Sequence, residues 1–361
     1  MSRLIAITTL LAACASDYEL SGDNNSSQGD DDRPGDDDTP DTTPFDPSDT
    51  ASVTGRICNT AGNSYVVNAD ASISYDTDGD GAEDGLATDL TDAEGWFTLT
   101  DVPLGSHTIL IEKGSFTATI DIVLDTPNEE LQLANEECLD PGSVEIAVIS
   151  GDYDHVESLL SGLGLEFTIY RGTSGQTEYM SLLQDPDLMA EYDIIFFNCG
   201  MDTTWSRNAS YDTVAANIKD YVQAGGSIYT SDWAYNIFEA AFPGAADFYG
   251  EDSVVGSAYW GADGYLTANV LDPTFQSLLG SNTAQLNYDL ASWAVVETAS
   301  SNTEVLLSGN APLYLWGSVN NSPLAIRFSS GSGVALYTSF HNEQQATVDM
   351  EAILEEIILS L

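Results

Sequence analysis

The chain has 361 residues, of which 43% are hydrophobic, so it is long enough for two or three domains and can bury a sizeable core. It carries 58 acidic against 8 basic residues, a formal net charge of −50 at pH 7. So acidic a surface repels nucleic acid and anionic lipid, and the sequence has no basic patch, which excludes nucleic acid as a partner and favours cation-rich surroundings.

The first residues predict export. The stretch MSRLIAITTLLAAC has one arginine, a short apolar run and small residues before Cys14. The run is too short to span a bilayer and is typical of a signal-peptide core. LAAC at 11–14 resembles the lipobox of bacterial lipoproteins, whose cysteine thiol accepts a diacylglyceryl group. The resemblance implies a signal peptide over 1–13 and a chain anchored through lipidated Cys14, at the outer membrane or cell surface. An ordinary secretory signal with an incidental cysteine is the alternative.

Residues 14–50 predict an acidic, disordered tether. The segment is rich in Asp, Pro, Gly, Ser and Thr and has almost nothing to bury, so it cannot offset its ordering entropy. Repulsion between its like charges keeps such a chain extended, and the part from Asp17 to Thr50 has a reach of roughly 110–120 Å at most. Its expected role is spacing.

Residues 51–140 alternate between short β-rich runs and turns, which predicts a small all-β sandwich. The string TDAEGWFTLTDVPLGSHTILIEKG, from Thr91 to Gly114, resembles the carboxypeptidase regulatory-like family, which has a transthyretin-like sandwich. The resemblance implies a stalk or interaction module and not a catalytic domain.

Within this module, the loop DTDGDGAED places Asp76, Asp78, Asp80 and Asp84 around a glycine. Oxygen ligands at alternate positions followed by Gly are typical of loops that wrap Ca²⁺. The twelfth position is Ala87, so the bidentate glutamate of an EF-hand is missing, and an ordinary Asp-Gly turn is the alternative.

The remaining cysteines are Cys58, Cys138 and Cys199. Cys58 opens the β module and Cys138 follows its last predicted strand, so in an exported chain a disulfide between them would join the two ends of the module. Cys199 is then the odd thiol, and we expect it to be free and buried.

From 141 to 361 near-continuous apolar strands such as VEIAVIS, DIIFFNCG and SIYTSD alternate with helical patterns, and a hairpin-like pair and a helix close the chain. This alternation predicts an α/β domain with a parallel sheet covered on both faces, a flavodoxin-like three-layer arrangement. The chain is therefore predicted to be multidomain.

The strand ending FFNCG, the helix ending AGG, a strand-turn-helix and a late strand ending FHNE resemble the class I glutamine amidotransferase-like fold, including its trehalose-utilisation-protein-like branch. In that family a cysteine nucleophile sits at the strand-to-helix bend, and a His-x-Glu pair completes the triad. The resemblance puts His341 and Glu343 at the His-x-Glu positions and Gly200 beside the oxyanion hole.

The bend itself reads YTSDWAY. A nucleophile elbow needs small residues two before and two after its centre. Centring on Asp232 puts Thr230 and Ala234 there, whereas centring on Ser231 would put two bulky aromatic residues there. Asp232 thus stands where the family has cysteine, and a carboxylate cannot replace a thiolate in glutamine hydrolysis.

Asp232, His341 and Glu343 are open to several interpretations: a polar cluster that locks the edge of the sheet, metal ligands, a hydrolase with Asp as nucleophile or base, or a pocket that only binds. Aromatic residues are plentiful in the same domain, and Trp233 and Trp260 are the candidates for contact with a carbohydrate or peptide.

We therefore expect a surface lipoprotein without enzymatic activity that binds a carbohydrate, a peptide or an envelope protein, or acts as a scaffold, with a degenerate amidotransferase-like domain. The alternatives are a hydrolase or metal-dependent enzyme that uses Asp232, His341 and Glu343, and a calcium-stabilised, adhesin-like structural protein.

Overall fold

A computed structural model of the chain describes residues 49–77, 80–207, 210–251, 256–341 and 346–361. By its contacts the chain divides into two units, 1–44 and 45–361, and all the described residues belong to the second. The predicted signal peptide, Cys14 and almost all of the tether lie outside the described residues.

The first part of the described chain consists of strands. They are β1 (Thr50–Cys58), β2 (Asp70–Tyr75), β3 (Gly85–Leu90), β4 (Trp96–Pro103), β5 (Gly105–Lys113), β6 (Phe116–Leu124), β7 (Glu130–Gln132) and β8 (Glu137–Cys138). One sheet has the order β4-β1-β7, with β8 also paired to β1, and the other has the order β3-β2-β5-β6. Buried and less buried residues alternate along β1, as expected for a strand with one face on the core.

The disulfide that the sequence predicts is present, since Cys58 is bonded to Cys138. It joins the end of β1 to β8, and these two strands also pair in parallel at the same residues. The bridge therefore closes the strand-rich region close to the boundary at 140 that the sequence predicts.

The second part contains strands and helices in alternation, followed by a strand-rich stretch. The strands are β9 (Ile146–Ile149), β10 (Thr168–Tyr170), β11 (Ile194–Phe197), β12 (Ser227–Ser231), β13 (Ala246–Phe248), β14 (Gly264–Val270), β15 (Thr283–Tyr288), β16 (Val296–Ala299), β17 (Thr303–Pro312), β18 (Ser318–Ser330) and β19 (Gly333–Thr338). The helices are α1 (Val156–Gly162), α2 (Tyr179–Leu183), α3 (Pro186–Met189), α4 (Tyr211–Gln223), α5 (Tyr235–Ala241), α6 (Pro273–Leu279) and α7 (Val348–Leu359).

The large sheet is mixed, with the order β10-β9-β11-β12-β19-β18-β17-β14-β15. The first five strands in this order, β10, β9, β11, β12 and β19, run parallel, as the sequence predicts. From β18 onward the pairing is antiparallel, which corrects the prediction of a parallel sheet for this half. The parallel half nevertheless aligns the carboxyl ends of β11, β12 and β19 at one edge, where ligand crevices of α/β sheets form.

The sequence also predicts one helix over EYMSLLQDPDLMAEY, and this prediction is wrong. Two short helices, α2 and α3, are separated by Gln184 and Asp185. Proline has no N–H to donate into a preceding turn, and the Asp185 side chain instead accepts the N–H groups of the two residues after Pro186. Pro186 therefore starts a new helix.

The apolar core continues across the predicted domain boundary. One cluster of buried side chains includes Ile57 and Phe116 from the two β sheets together with Ile353 and Ile357 from α7. The final helix thus packs on both the strand-rich region and the large sheet. None of the described helices is both long enough and apolar enough to cross a bilayer.

A buried ion pair lies in this contact. Lys113 Nζ on β5 is 2.5 Å from Glu356 Oε1 on α7, and both side chains are less than a tenth exposed. Lys113 Nζ also donates to the carbonyl of Val67 at 2.9 Å. Because both charges have left water, each depends on the other for compensation.

We expect Lys113→Met to destabilise the fold by about 3–5 kcal/mol, because it leaves Glu356 charged and buried without its partner. The double variant Lys113→Met, Glu356→Leu should recover most of this loss, since it removes both charges. Urea unfolding of the full chain measures both.

The matched control is Arg171→Met, which breaks a solvent-exposed pair with Glu178 (3.7 Å) and should change the free energy of unfolding by no more than about 1 kcal/mol. A single Lys113 variant as stable as the wild type would show that the pair is not the buried contact described above.

Candidate functional site

Neighbouring parallel strands bring the candidate residues together. Strands β11, β12 and β19 lie side by side in register, and one candidate residue lies within three positions after the end of each. Cys199 follows β11, Asp232 follows β12 and His341 follows β19. Their thiol, carboxylate and imidazole atoms lie within 4.8 Å of one another, and all three residues are buried.

Asp232 occupies the bend between β12 and α5, as the sequence predicts. Its φ is 44°, in the left-handed region that a non-glycine residue adopts at a cost of order 1–3 kcal/mol. Thr230 and Ala234, on either side, are fully buried, so bulky side chains would not fit there. The bend therefore presents the Asp232 carboxylate to the interior of the site.

Several donors hold that carboxylate. The Ala294 N–H donates to Asp232 Oδ1 at 2.7 Å, and the Cys199 thiol donates to Oδ2 at 3.4 Å. His341 Nε2 lies 3.6 Å from the same Oδ2. Both carboxylate oxygens are thus engaged, which disfavours nucleophilic attack by Asp232 on a substrate.

Cys199 is free and buried, as the sequence predicts, but it also belongs to the site, which the sequence analysis missed. Burial raises the pKa of its thiol well above the usual value, and the charge of Asp232 raises it further. Its own N–H donates to Ser231 Oγ at 2.9 Å. A thiol held in the protonated form donates a hydrogen bond and is a poor nucleophile.

A second carboxylate supports this arrangement from behind. Ser231 Oγ donates to Asp154 Oδ2 at 2.5 Å, and Asp154 is 1% exposed. Because Ser231 also accepts the N–H of Cys199, the hydroxyl ties the loops after β9 and β11 to the end of β12. The sequence suggested Ser231 only as an alternative centre of the bend, and it gave no signal for Asp154.

His341 lies among carboxylates. Burial lowers the pKa of its imidazole, but the hydrogen bond to Asp232 and the charges of Asp154, Asp232 and Asp289 outweigh burial and raise the pKa. The imidazole is therefore held in its charged form at higher pH than a histidine in water, and it balances part of the surrounding negative charge.

Cys199, Asp232 and His341 form one wall of a cavity of about 340 Å³. Its lining consists of Tyr153, Cys199, Asp232, Trp233, Asn287, Tyr288, Asp289, Leu290, Ala291, Ser292, Trp293, Ser339, Phe340 and His341. The Trp233 indole N–H donates to the carbonyl of Ser292. Trp293 stacks on Tyr288 with ring centroids 4.2 Å apart. The cavity thus has rigid aromatic walls and a charged floor.

Two further residues that the resemblance implies are Gly200, for the oxyanion hole, and Glu343, for the triad. Gly200 follows Cys199 with φ 84°, and its carbonyl accepts the N–H of Asp152 at 3.4 Å. A Cβ there would lie 2.7 Å from the Tyr153 ring, so only glycine fits. Cys199, and not Gly200, reaches the cavity. Glu343 lies outside the described residues.

Trp260, the second ligand candidate, lies in a separate groove of about 520 Å³. This aromatic groove is lined by Tyr249, Ser257, Ala258, Tyr259, Trp260, Leu313, Tyr314, Leu315 and Trp316. Trp260 and Tyr314 meet edge to face at 6.1 Å and are each about half exposed, and Trp316 is 81% exposed. Among the described residues that line the groove, none is charged. Trp233 and Trp260 therefore belong to two sites and not to one.

In the acidic loop between β2 and β3, the carboxylates accept backbone N–H groups. Asp76 accepts from Gly81 and Asp80 from Ala82, each at 2.7 Å, and Asp84 accepts from Thr77 at 2.8 Å. Such bonds are typical of Asx-type turns. Asp78 lies outside the described residues, and Ca²⁺ binding by the loop stays a prediction.

No protein-family model and no curated protein matches the chain. Solved structures similar to it include a ThuA-like protein from Parabacteroides merdae, 13% identical with a TM-score of 0.40, over 60% of this chain and 90% of that one. A glutamine amidotransferase from Thermotoga maritima is 10% identical with a TM-score of 0.36, over 55% and 75% of the two chains. Another from Methylobacillus flagellatus is 15% identical with a TM-score of 0.35, over 56% and 70%. These likenesses concern the fold alone.

The raised pKa of His341 makes stability depend on pH. A raised histidine pKa stabilises the fold most below the unfolded-state pKa of about 6.5, and this contribution is lost as the pH rises through the folded-state pKa. We therefore expect the difference in unfolding free energy between wild type and His341→Gln to be largest in mild acid and to shrink in mild alkali.

Asp232→Asn should lower the pKa of His341, because it removes the closest negative charge. The chain has 3 histidines, so imidazole resonances are readily assigned by NMR titration of single variants. His107, on β5, serves as the internal control that should not move. An unchanged His341 pKa in Asp232→Asn would contradict the pairing.

Proposed function

We propose that this protein is an exported lipoprotein of the cell envelope that binds an uncharged glycan in the aromatic groove around Trp260 and does not hydrolyse it. The observation that carries the proposal is the groove itself, a cleft of about 520 Å³ whose exposed lining consists of tryptophan and tyrosine rings together with Leu315.

The chemistry of the lining supports a sugar as the occupant. The faces of aromatic rings carry partial negative charge, and the C–H faces of a sugar ring carry the complementary positive charge and an apolar surface. Trp260 and Tyr314 lie at an interplanar angle of 62°, so they offer faces in two directions along the groove. Tyrosine hydroxyls and Ser257 supply hydrogen-bonding groups at its margin.

The charge pattern supports an uncharged ligand. The whole chain carries −50, which repels anionic ligands, whereas the described residues that line the groove add no charge of their own. A cationic ligand would gain nothing from this lining beyond the field of the whole surface. A neutral oligosaccharide needs neither sign of charge.

Two observations support binding without cleavage. Glycoside hydrolysis requires a pair of carboxyl groups at the scissile bond, and the described lining of the groove includes no Asp or Glu. In the other cavity, Asp232 replaces the cysteine nucleophile of amidotransferases and is already engaged by Ala294, Cys199 and His341. A hydrolase that uses Asp232, His341 and Glu343 is the alternative.

The amino-terminal segment supplies the location in this proposal. Lipidated Cys14 would hold the chain on a bilayer, and the acidic segment up to residue 50 would extend away from an anionic surface. The groove would then meet glycans at a distance from the membrane. A scaffold that binds an envelope protein through the same face is the competing role.

The test is binding of the full chain with Cys14→Ser to an array of uncharged oligosaccharides, followed by calorimetry on the ligands retained. Trp260→Ala and Trp316→Ala should each weaken binding about tenfold or more, ~1.4 kcal/mol, because each removes a stacking face.

The matched control is Tyr265→Ala, which removes an aromatic ring that is 77% exposed and lies outside the groove. Asp232→Asn should likewise bind as the wild type does. Retention of peptides in place of sugars, full affinity in both tryptophan variants, or sugar cleavage that Asp232→Asn abolishes would each overturn the proposal.

A further inference from the structure

We propose that Cys199, Asp232 and His341 form a binding site for a zinc ion that opens onto the 340 Å³ cavity. The site is separate from the aromatic groove, and the proposal does not depend on glycan binding. It makes the buried thiol of Cys199 a metal ligand, whereas in the structure this thiol donates a hydrogen bond to Asp232.

The three side chains are a ligand set that suits zinc. A thiolate sulfur, an imidazole nitrogen and a carboxylate oxygen are the donors of zinc sites in proteins. The thiolate makes Ca²⁺ and Mg²⁺ unfavourable, because these hard cations prefer oxygen ligands. Three protein ligands and one open position are typical of zinc sites that face a cavity.

Two of the three distances between the donor atoms fit a tetrahedron. Zinc–ligand bonds of about 2.0–2.3 Å at tetrahedral angles place neighbouring donor atoms about 3.3–3.6 Å apart. Cys199 Sγ lies 3.4 Å and His341 Nε2 lies 3.6 Å from Asp232 Oδ2. The remaining edge, from sulfur to nitrogen, is no longer than 4.8 Å, and a contraction of about 1 Å would close it.

The surroundings hold these ligands in place. Each ligand follows one of three adjacent parallel strands, β11, β12 and β19, so the sheet fixes their separation. The Ala294 N–H donates to the other oxygen of Asp232 and orients the carboxylate, as hydrogen-bond donors behind the ligands do in metal sites. Ser231 fixes the backbone of Cys199 in the same way.

Charge also favours a cation. Asp154, Asp232 and Asp289 surround one imidazole, so the acidic groups outnumber the basic one at this end of the cavity. On binding, the thiol proton and any imidazolium proton leave to solvent, and sulfur and nitrogen lone pairs take their place on the metal. No oxidation or reduction is involved.

The experiment titrates the full chain, with Cys14→Ser in every variant, with Zn²⁺ and separately with Co²⁺, in an excess of Ca²⁺ and Mg²⁺ that occupies exposed carboxylates. We expect one tight site and, with Co²⁺, the thiolate-to-metal charge-transfer band and the visible absorption of a four-coordinate ion. Cys199→Ser and His341→Gln should each weaken Zn²⁺ binding roughly a hundredfold, and Cys199→Ser should remove the charge-transfer band.

The matched controls are His107→Gln and Asp121→Asn, on β5 and β6, which should bind Zn²⁺ as the wild type does. Equal affinity in wild type and Cys199→Ser, or a Co²⁺ spectrum without a thiolate band, would overturn the proposal. If both ligand variants lose their fold, the wild-type Co²⁺ spectrum alone decides. Glycan binding should survive in any folded Cys199→Ser protein, so failure of one proposal does not imply failure of the other.

Discussion

The site depends on how the Asp232 carboxylate is held at the bend after β12. Its backbone is in the left-handed region, with φ 44°, which an aspartate adopts only when its surroundings compensate. Ala294, Cys199 and His341 supply that compensation through one N–H, one thiol and one imidazole. A carboxylate fixed in this way orders its neighbours. Burial, together with the charge of Asp232, raises the pKa of the Cys199 thiol and keeps it protonated, and both effects disfavour covalent catalysis.

The same contact links the cavity to the aromatic groove. Ala294, whose N–H binds Asp232, forms an isolated β-bridge with Trp260 in the groove. The Ala294 carbonyl accepts the hydroxyl of Tyr337 on β19 at 2.9 Å. The next residue, Val295, donates its N–H to the carbonyl of Tyr259 at 3.2 Å. One short segment thus forms a cavity wall on one side and supports the groove on the other.

The bend at Asp232 and the parallel half of the sheet could be predicted from the sequence, because both depend on residues that are close together along the chain. Small residues on both sides of Asp232 and apolar runs such as β11 are local signals, and both are found in the structure. The Cys58–Cys138 bridge also followed from the positions of the two cysteines, together with the predicted export of the chain. The spacing of small residues around Asp232, the apolar runs of the strands and the positions of the two cysteines were sufficient to predict these features.

Other features required spatial information. Cys199 is 33 residues from Asp232 in sequence, and only the register of β11 against β12 brings its thiol to the carboxylate. The antiparallel strands β14 and β15 alternate buried and exposed residues, a period-2 pattern that is visible in the sequence and could have predicted them. The separation of Trp233 from Trp260 depends on tertiary packing and has no sequence signal.

The most direct test of this account is the rate at which iodoacetamide alkylates Cys199 in the folded protein, with Cys14→Ser leaving Cys199 as the one unpaired thiol. A buried, protonated thiol that donates to Asp232 should react very slowly from neutral to mildly alkaline pH, and fully once the chain is unfolded. Fast alkylation of the folded protein at neutral pH would mean a thiolate beside His341, and it would contradict the account of a site without a nucleophile.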